Sequence, residues 1–298
     1  MKRFLSIFLA LCFAALLFTH PAETAQAVRD GLSLCFQTVV PTLFPFLAVM
    51  SLLLKLGLGS LMQPLCAGFM GPLFHLRGLA AAPLAAGLLG GYPTGAKMTA
   101  ELYEQGALSR SEAELLLGFC NNCGPGFLLG FVGAGILGSA RAGICLFAIH
   151  VVAACLTGMI LTRLIKRREP APLPCHLPAP TISLPRSLTA SISAALTSTL
   201  SICAYVVLFR TVAALLPDSF PASALGFLEM ISGIAALQAN AAGFAAAAAI
   251  TAWGGISVHC QTLSVAGELS LKYHTAGKIL QAIFSFFLAL PIAGWVYR

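Results

Sequence analysis

The sequence predicts an all-α, polytopic integral membrane protein. Hydrophobic residues make up 58% of its 298 residues and charged residues only 9%, whereas a soluble domain carries about 25% charged residues. The apolar residues occur in runs of about 20, which is the length of a membrane-spanning helix. A closed β-barrel would instead show short segments of alternating polarity. We therefore expect a multi-pass protein of the cell (plasma) membrane, with membrane lipid as its surroundings.

The charge pattern supports the same class. A net charge of +7 fits the excess of basic residues in cytoplasmic loops, and no basic run is interleaved with aromatic residues as in a nucleic-acid site. Lys2 and Arg3 precede an apolar run and an Ala-Gln-Ala sequence at 25–27. This pattern is typical of a secretory signal peptide and of an uncleaved first span. The polytopic context favours retention, so residues 1–30 are predicted to be an N-terminal span or signal-like anchor.

The remaining apolar segments divide into two halves. A basic cluster at 163–168, followed by prolines, indicates a cytoplasmic, Pro-rich linker over 166–186. It separates a first membrane repeat, 31–165, from a second, 187–298. The first contains apolar segments 33–54 (with Pro41 and Pro45), 78–96, 113–138 and 142–162, and an interfacial elbow over 56–77. The second contains 187–217, 225–252, 253–268 and a closing span, 279–297, which Lys272, His274 and Lys278 precede.

The number of crossings requires one segment that does not cross. Lys2, Arg3 and the 163–168 cluster should all be cytoplasmic, yet five apolar segments lie between them. One segment must therefore enter and leave on the same side. Residues 78–96, with a partner up to Gly106, are the best candidate because basic residues flank them. These flanking residues are Arg77, Lys97 and Arg110. We predict a re-entrant hairpin whose irregular tip is shielded by protein or by a water-filled cavity.

A second interruption falls inside 113–138. Gly-Pro-Gly at 124–126 cannot continue a regular helix, and two asparagines just before it are costly in a span unless they are paired. We predict a discontinuous membrane helix whose second half begins near Gly126, with its positive dipole end facing the break. A loop between two short helices is the alternative. Cys120 and Cys123 form a single CxxC, and a zinc site needs four ligands, so neither a metal nor a cofactor is expected.

Both halves follow the order span, hairpin, interrupted span, closing span. Because they enter from opposite sides, they form inverted repeats with re-entrant hairpins and discontinuous helices. Corresponding interruptions are the best sequence indication of a transporter's binding site at the bilayer midplane. The candidate binding residues are Tyr92, Pro93, Thr94, Gly95, Lys97, Asn121, Asn122, Glu229, Ser232, Gly233, Ser257, His259 and Gln261.

Several of these residues have two interpretations. Lys97 could extend to lipid headgroups, bind an anionic group of a ligand, or pair with Glu101 one helical turn away. Glu229 lies within an apolar run, which indicates a ligand or proton site; the alternative places it at the membrane edge. His259 is either a hydrogen-bonded interior residue or a titrating relay. Asparagine and glutamine amides both donate and accept, which suits nucleobase edges and many other polar solutes.

Three stretches carry a resemblance to a known family: GGYPTGAKMTAELYEQGALSRSEAELLLGFCNN, GFLEMISG and WGGISVHCQTLSVAGELSLKYHTAGKILQAIF. They resemble the nucleoside-recognition (Gate) domain membrane proteins, in particular the YlbJ-like group of sporulation integral membrane proteins. The resemblance covers most of 30–297. It implies a polytopic protein of endospore-forming bacteria, similar in its Gate domain to parts of concentrative nucleoside transporters and ferrous-iron permeases, with no settled substrate. Relatives often carry Ser, Asn or Pro within 120–125, which makes the cysteine pair a local variation.

These observations favour a permease-like transporter that binds a small polar solute, with nucleoside-like solutes suggested by the resemblance. A coupling ion is the other expected partner, nucleic acid is not, and a homo-oligomer stays open. The alternative is a non-transporting assembly factor of the spore envelope. The protein is not expected to be an enzyme, because no G-x-S-x-G, HExxH or Walker A motif is present.

Overall fold

The computed structural model describes residues 2–57, 64, 68–165, 183–215 and 222–297. All regular structure in these residues is helical, and most of the predicted linker lies outside them. Within the described ranges, four segments are long and apolar enough to cross a membrane, and one bent pair would make a fifth. The four are Ala140–Leu164, Leu184–Ala214, Ala241–Val265 and Lys272–Val296. The structure confirms an all-α polytopic membrane protein.

The chain begins with three consecutive helices: α1 (Lys2–Thr19), α2 (Pro21–Leu34) and α3 (Val40–Lys55). Between α2 and α3 the helix widens over Cys35–Val39, where the amide of Val40 bonds to the carbonyl of Cys35. Pro41 follows directly and lacks the N–H that a regular helix needs. The widened turn accommodates this proline, so the helical path continues beyond it.

The predicted elbow and re-entrant hairpin are both present. Helix α4 (Gly68–Phe74) bends by 93° into the segment Gly78–Gly90, which contains α5 (Ala81–Gly90). A tip at 91–93 leads into α6 (Thr94–Glu104), which packs along α5. Helices of 10 and 11 residues extend about 15 Å, half of a bilayer core. Each arm of the hairpin is therefore too short to cross a bilayer by itself, which agrees with the predicted re-entrant form.

The described part of the elbow lies next to Arg163, the first residue of the basic cluster. Arg163, in the last turn of the helix before the linker, donates a hydrogen bond to the carbonyl of Leu73 at 3.1 Å. This contact places the described part of the elbow next to the end of the helix that precedes the predicted linker.

The predicted interruption of the next span is also present. Helix α7 (Arg110–Cys120) begins with a capping box between Ser109 and Glu112. A break over 121–125 follows, and then a wide π-helical segment, Gly126–Ile136. Such wide turns are rare and are often found at functional sites. Helix α8 (Ala140–Leu164) closes the first half.

The described residues of the second half follow the same order in six helices. Glu229 separates α10 from α11, and Gly254 separates α12 from α13 through a positive φ of 83°. The second interruption is shorter than predicted, because α12 and α13 remain parts of one 25-residue segment. The helices are α9 (Leu184–Ala214), α10 (Ala222–Leu228), α11 (Met230–Ala235), α12 (Ala241–Trp253), α13 (Gly255–Val265) and α14 (Lys272–Val296).

Two predicted segments of the second half have wrong boundaries. The segment predicted over 225–252 is divided among α10, α11 and α12. The closing span begins at Lys272 and not at residue 279, so Lys278 lies within α14 and not before it. Helix α14 contains His274 and Lys278, whose side chains are both buried. The helix packs against α7, α8 and α12. This packing, which joins the two halves, places an amine inside the membrane domain.

Candidate functional site

One cavity borders all four interruptions. It provides about 50 Å³ of space for the centres of water molecules, and we call it the central cavity. The interruptions contribute Gly91 and Tyr92 (first tip), Cys123, Gly124 and Gly126 (first break), Glu229, Met230 and Ile231 (second tip), and Val258 and Gln261 (second break). Apolar residues such as Leu43, Leu47, Phe127 and Ile202 complete its wall.

The first tip is fixed by its own hydrogen bonds. Tyr92 donates from its hydroxyl to the carbonyl of Thr251 at 3.1 Å, which joins the tip to α12. The following residue, Pro93, is buried after a cis peptide bond and precedes α6. The hydroxyl of Thr94 lies 2.6 Å from the carbonyl of Gly91 and donates back into the tip. Only Tyr92 of these predicted residues reaches the central cavity.

The two asparagines of the first break are fully buried and paired, as their position requires. The amide nitrogen of Asn121 donates to the hydroxyl of Thr262 on α13 at 2.8 Å. That of Asn122 donates to the carbonyl of Phe119 at 2.8 Å, which satisfies an acceptor at the end of α7. The carbonyl oxygen of Asn121 has no partner among the described residues. Neither asparagine is among the residues that border the central cavity.

A buried polar network that the sequence analysis missed lies next to this break. Lys278 donates to the hydroxyl of Tyr92 at 3.1 Å and to the side-chain oxygen of Gln281 at 2.8 Å. The side-chain amide of Gln281 donates to Asn122 Oδ1 at 2.9 Å and lies 3.2 Å from His150 Nε2. We call these five residues the polar network. It connects α14 and α8 with the first tip and the first break.

No counter-ion for the lysine of this network lies among the residues that the structure describes. Within the described part of the chain the ion pairs join Arg77 to Glu112 and Arg110 to Glu114; neither involves Lys278. Two signals in the sequence indicate the network. His150 lies in the middle of an apolar span, where an ionisable residue points to function. Lys278 and Gln281 are spaced i, i+3 and therefore share a helix face.

Glu229 is buried and does not lie at the membrane edge. Its carboxylate accepts hydrogen bonds from the backbone N–H groups of Ile231, at 2.9 Å, and Ser232, and so caps α11. Ser232 also accepts from the guanidinium of Arg210 at 3.3 Å. Gly233 packs against the backbone of Gly226, so α10 and α11 form a tight hairpin. Glu229 borders the central cavity, whereas Ser232 and Gly233 do not.

The residues of the second break divide between the cavity and a neighbouring aromatic cluster. Gln261 lines the cavity, and its side-chain oxygen has no partner among the described residues. Ser257 is buried close by with its hydroxyl likewise unpaired in that part of the chain. His259 faces away: its ring centroid lies 4.3 Å from that of Trp253 and 5.0 Å from that of His274.

Lys97 and Gly95 do not belong to the central cavity. Lys97 is exposed and borders a second cavity with about 190 Å³ of space for water centres, together with Lys55, Glu101 and Thr94. Leu47 borders both cavities. Gly95 instead packs against the carbonyl of Cys120 at the end of α7. The prediction that these two residues contact a ligand in the central cavity has no support in this geometry.

Tyr92, Glu229 and Gln261 are thus the polar side chains that border the central cavity, within a mostly apolar wall. Such a site suits a polar ligand, since a few polar groups set the orientation and apolar walls provide contact area. The described residues contain no cluster of three or more histidine, cysteine, aspartate or glutamate residues. Cys120 and Cys123 are both buried free thiols.

Comparisons with known proteins agree with this architecture. A family model described as Gate, nucleoside recognition, matches residues 36–215. The sporulation integral membrane protein YlbJ of Bacillus subtilis (strain 168) is 33% identical over 159 residues, which are 53% of this chain and 39% of that protein. The chain thus spans well under half of that relative's length. No solved structure matches the chain. With its four long apolar helices, the chain is a multi-pass protein of the cell membrane.

Proposed function

The chain belongs to the Gate family, described as nucleoside recognition, and on this basis we propose that it is a permease that binds a small polar solute in the central cavity. One observation carries the proposal. Interruptions from both halves border the same buried space, which is the arrangement that binds substrate in transporters built from internal repeats. Alternating access would then move one hairpin or half against the other.

The groups of the cavity favour a solute with several hydroxyl or amide groups. Each oxygen of Glu229 accepts one backbone N–H and keeps a lone pair for a ligand hydroxyl. The side-chain oxygen of Gln261 has no partner among the described residues, and Tyr92 also borders the cavity. A nucleoside combines ribose hydroxyls with a nucleobase edge, and the description of the family makes this the first solute class to test.

The size of the cavity implies that this conformation is closed. One water needs about 10–15 Å³ of such space, so about 50 Å³ holds only a few waters. Sites for drug-sized ligands have volumes of about 300–1,000 Å³. A nucleoside can therefore enter only when the tips separate. Leu47 borders both cavities, so an opening from the side of Lys97 would pass along it.

Uptake by reconstituted protein tests the proposal. We expect liposomes containing the wild type to take up labelled solutes from a panel of nucleosides, nucleobases and amino acids. Replacement Glu229→Gln removes a charged acceptor, a hydrogen bond of about 1.5–3 kcal/mol, and should lower uptake at least about tenfold. Glu268→Gln, at an exposed site, is the matched control. Equal uptake by the wild type and Glu229→Gln, or no uptake of any solute by the wild type, would contradict the proposal.

A second candidate function is a non-transporting assembly factor of the spore envelope. It is favoured by the similarity to a protein named as a sporulation integral membrane protein. In this role the fold would recruit partners, and the lining of the central cavity would be dispensable.

Sporulation assays in a spore-forming host that lacks its own copy separate the two functions. Gln261→Leu replaces a cavity amide that holds no partner among the described residues, so it should leave the fold intact. We expect this variant to fail as completely as the unrescued host, while a scrambled linker over 166–182 supports sporulation. The opposite result, with Gln261→Leu active and the scrambled linker inactive, would favour the assembly role.

A further inference from the structure

The amine of Lys278 lies in an unusual environment. It is fully buried within α14, and its acceptors are the hydroxyl of Tyr92 and the side-chain oxygen of Gln281. The centre of the Tyr92 ring lies 5.0 Å from the same nitrogen. All of these partners are neutral. Burying an ammonium is unfavourable unless a counter-charge is provided, and the described residues provide none.

The groups that face this amine are the ends of short helices. Helix α7 ends at Cys120, two residues before Asn122, whose side-chain oxygen accepts from Gln281. Thr251, which accepts the Tyr92 hydroxyl, lies in the last turn of α12. The carboxyl ends of helices carry partial negative charge and favour a cation. In transporters with discontinuous helices, such ends surround the coupling sodium ion or proton.

The titratable groups around Lys278 are uncharged in their ordinary states or weakly basic. Tyr92 comes from the first tip, Cys120 and Cys123 from α7 and the break, and His150 from α8. His259 on α13 and His274 on α14 also lie within its electrostatic reach. Helix α12 contributes no titratable residue. None of these groups is a carboxylate that would hold the lysine permanently as an ion pair.

We propose that Lys278 is an exchangeable proton site and that its proton is the coupling ion of this protein. The second part rests on the transport function proposed above. When the tip carrying Tyr92 moves away, water reaches the amine and stabilises its charged form. When the tip closes, that hydration is lost. In each cycle Nζ releases one proton to water on one side and takes one from water on the other, so only an N–H bond breaks and re-forms.

Counting bound protons tests the site without any solute. The full-length chain in detergent is titrated without buffer between about pH 9 and pH 5, a range in which exposed lysines stay charged. We expect the wild type to take up one proton per chain more than Lys278→Met. Lys278→Arg should show the same deficit, because arginine keeps its charge throughout. Lys272→Met, at an exposed position of the same helix, should match the wild type.

The comparison is repeated in a His150→Gln background, which removes the nearest imidazole as a source of the proton. If Lys278→Met does not fold, the difference in proton count between the wild type and Lys278→Arg is sufficient to test the proton site. Equal proton counts in the wild type and in both Lys278 variants would overturn the inference while leaving the solute permease intact. A one-proton difference in a protein that transports no solute would instead refute the permease and retain the proton site.

Discussion

The Gly95→Ala variant is expected to lose about 3 kcal/mol or more of stability, which corresponds to a drop in melting temperature of about 10 °C. A Cβ atom at this position would overlap the carbonyl oxygen of Cys120 and press on the backbone of Gly87. Backbone atoms cannot rotate away as a flexible side chain can. The hairpin and the end of α7 would have to separate, and this would displace the tip from the central cavity. Thermal unfolding of the purified protein in detergent measures the loss.

A glycine outside this contact provides the control. Gly130→Ala lies in the π-helical segment, and its added methyl group would meet no atom within 4 Å. We expect its melting temperature to stay close to that of the wild type. A similar small change for Gly95→Ala would show that the hairpin does not pack on α7 as described.

The second large effect is expected at the buried ion pair near the elbow. Arg77 binds both carboxylate oxygens of Glu112, at 2.9 and 2.7 Å, and the glutamate side chain is only 1% exposed. Glu112→Gln leaves the guanidinium without its counter-ion and weakens the capping box with Ser109. Breaking one side of such a pair costs about 3–5 kcal/mol. We expect a loss near the lower limit, because Arg77 keeps 21% of its side chain exposed.

The neighbouring pair on the same helix is the matched comparison. Arg110 and Glu114 are also 2.9 Å apart, but the arginine side chain is 57% exposed. Exposed pairs contribute about 0–1 kcal/mol, so Glu114→Gln should lower the melting temperature by no more than a few degrees. If Glu112→Gln and Glu114→Gln were equally mild, the burial of the first pair would contribute little to anchoring the hairpin.

The interruptions could be predicted because their causes are local. Glycine and proline around Tyr92 and at 124–126 stop a helix whatever surrounds them. The basic flanks of 78–96 predict its side of the membrane. Intramembrane polarity likewise pointed to Glu229. The structure places interruptions at these positions. Whether the cavity residues bind a solute stays a prediction.

The features that the sequence did not predict depend on contacts between distant parts of the chain. The start of α14 was misplaced because hydropathy falls at Lys272, His274 and Lys278, while the helix continues through them by burying polar side chains against the other half. The position of Lys97 at a separate cavity depends on how α3 and α9 pack beside the hairpin. Periodicity within one segment contains no information about such partners.

The small volume of the central cavity has a thermodynamic consequence for any solute that binds there. Separating the tips requires work before a ligand larger than a few waters makes its first contact. The apparent dissociation constant then equals the intrinsic constant divided by the fraction of molecules that are open. Affinity measured for this protein therefore reports the opening equilibrium as well as the contacts, and a substitution that wedges the tips apart would strengthen binding without touching the solute.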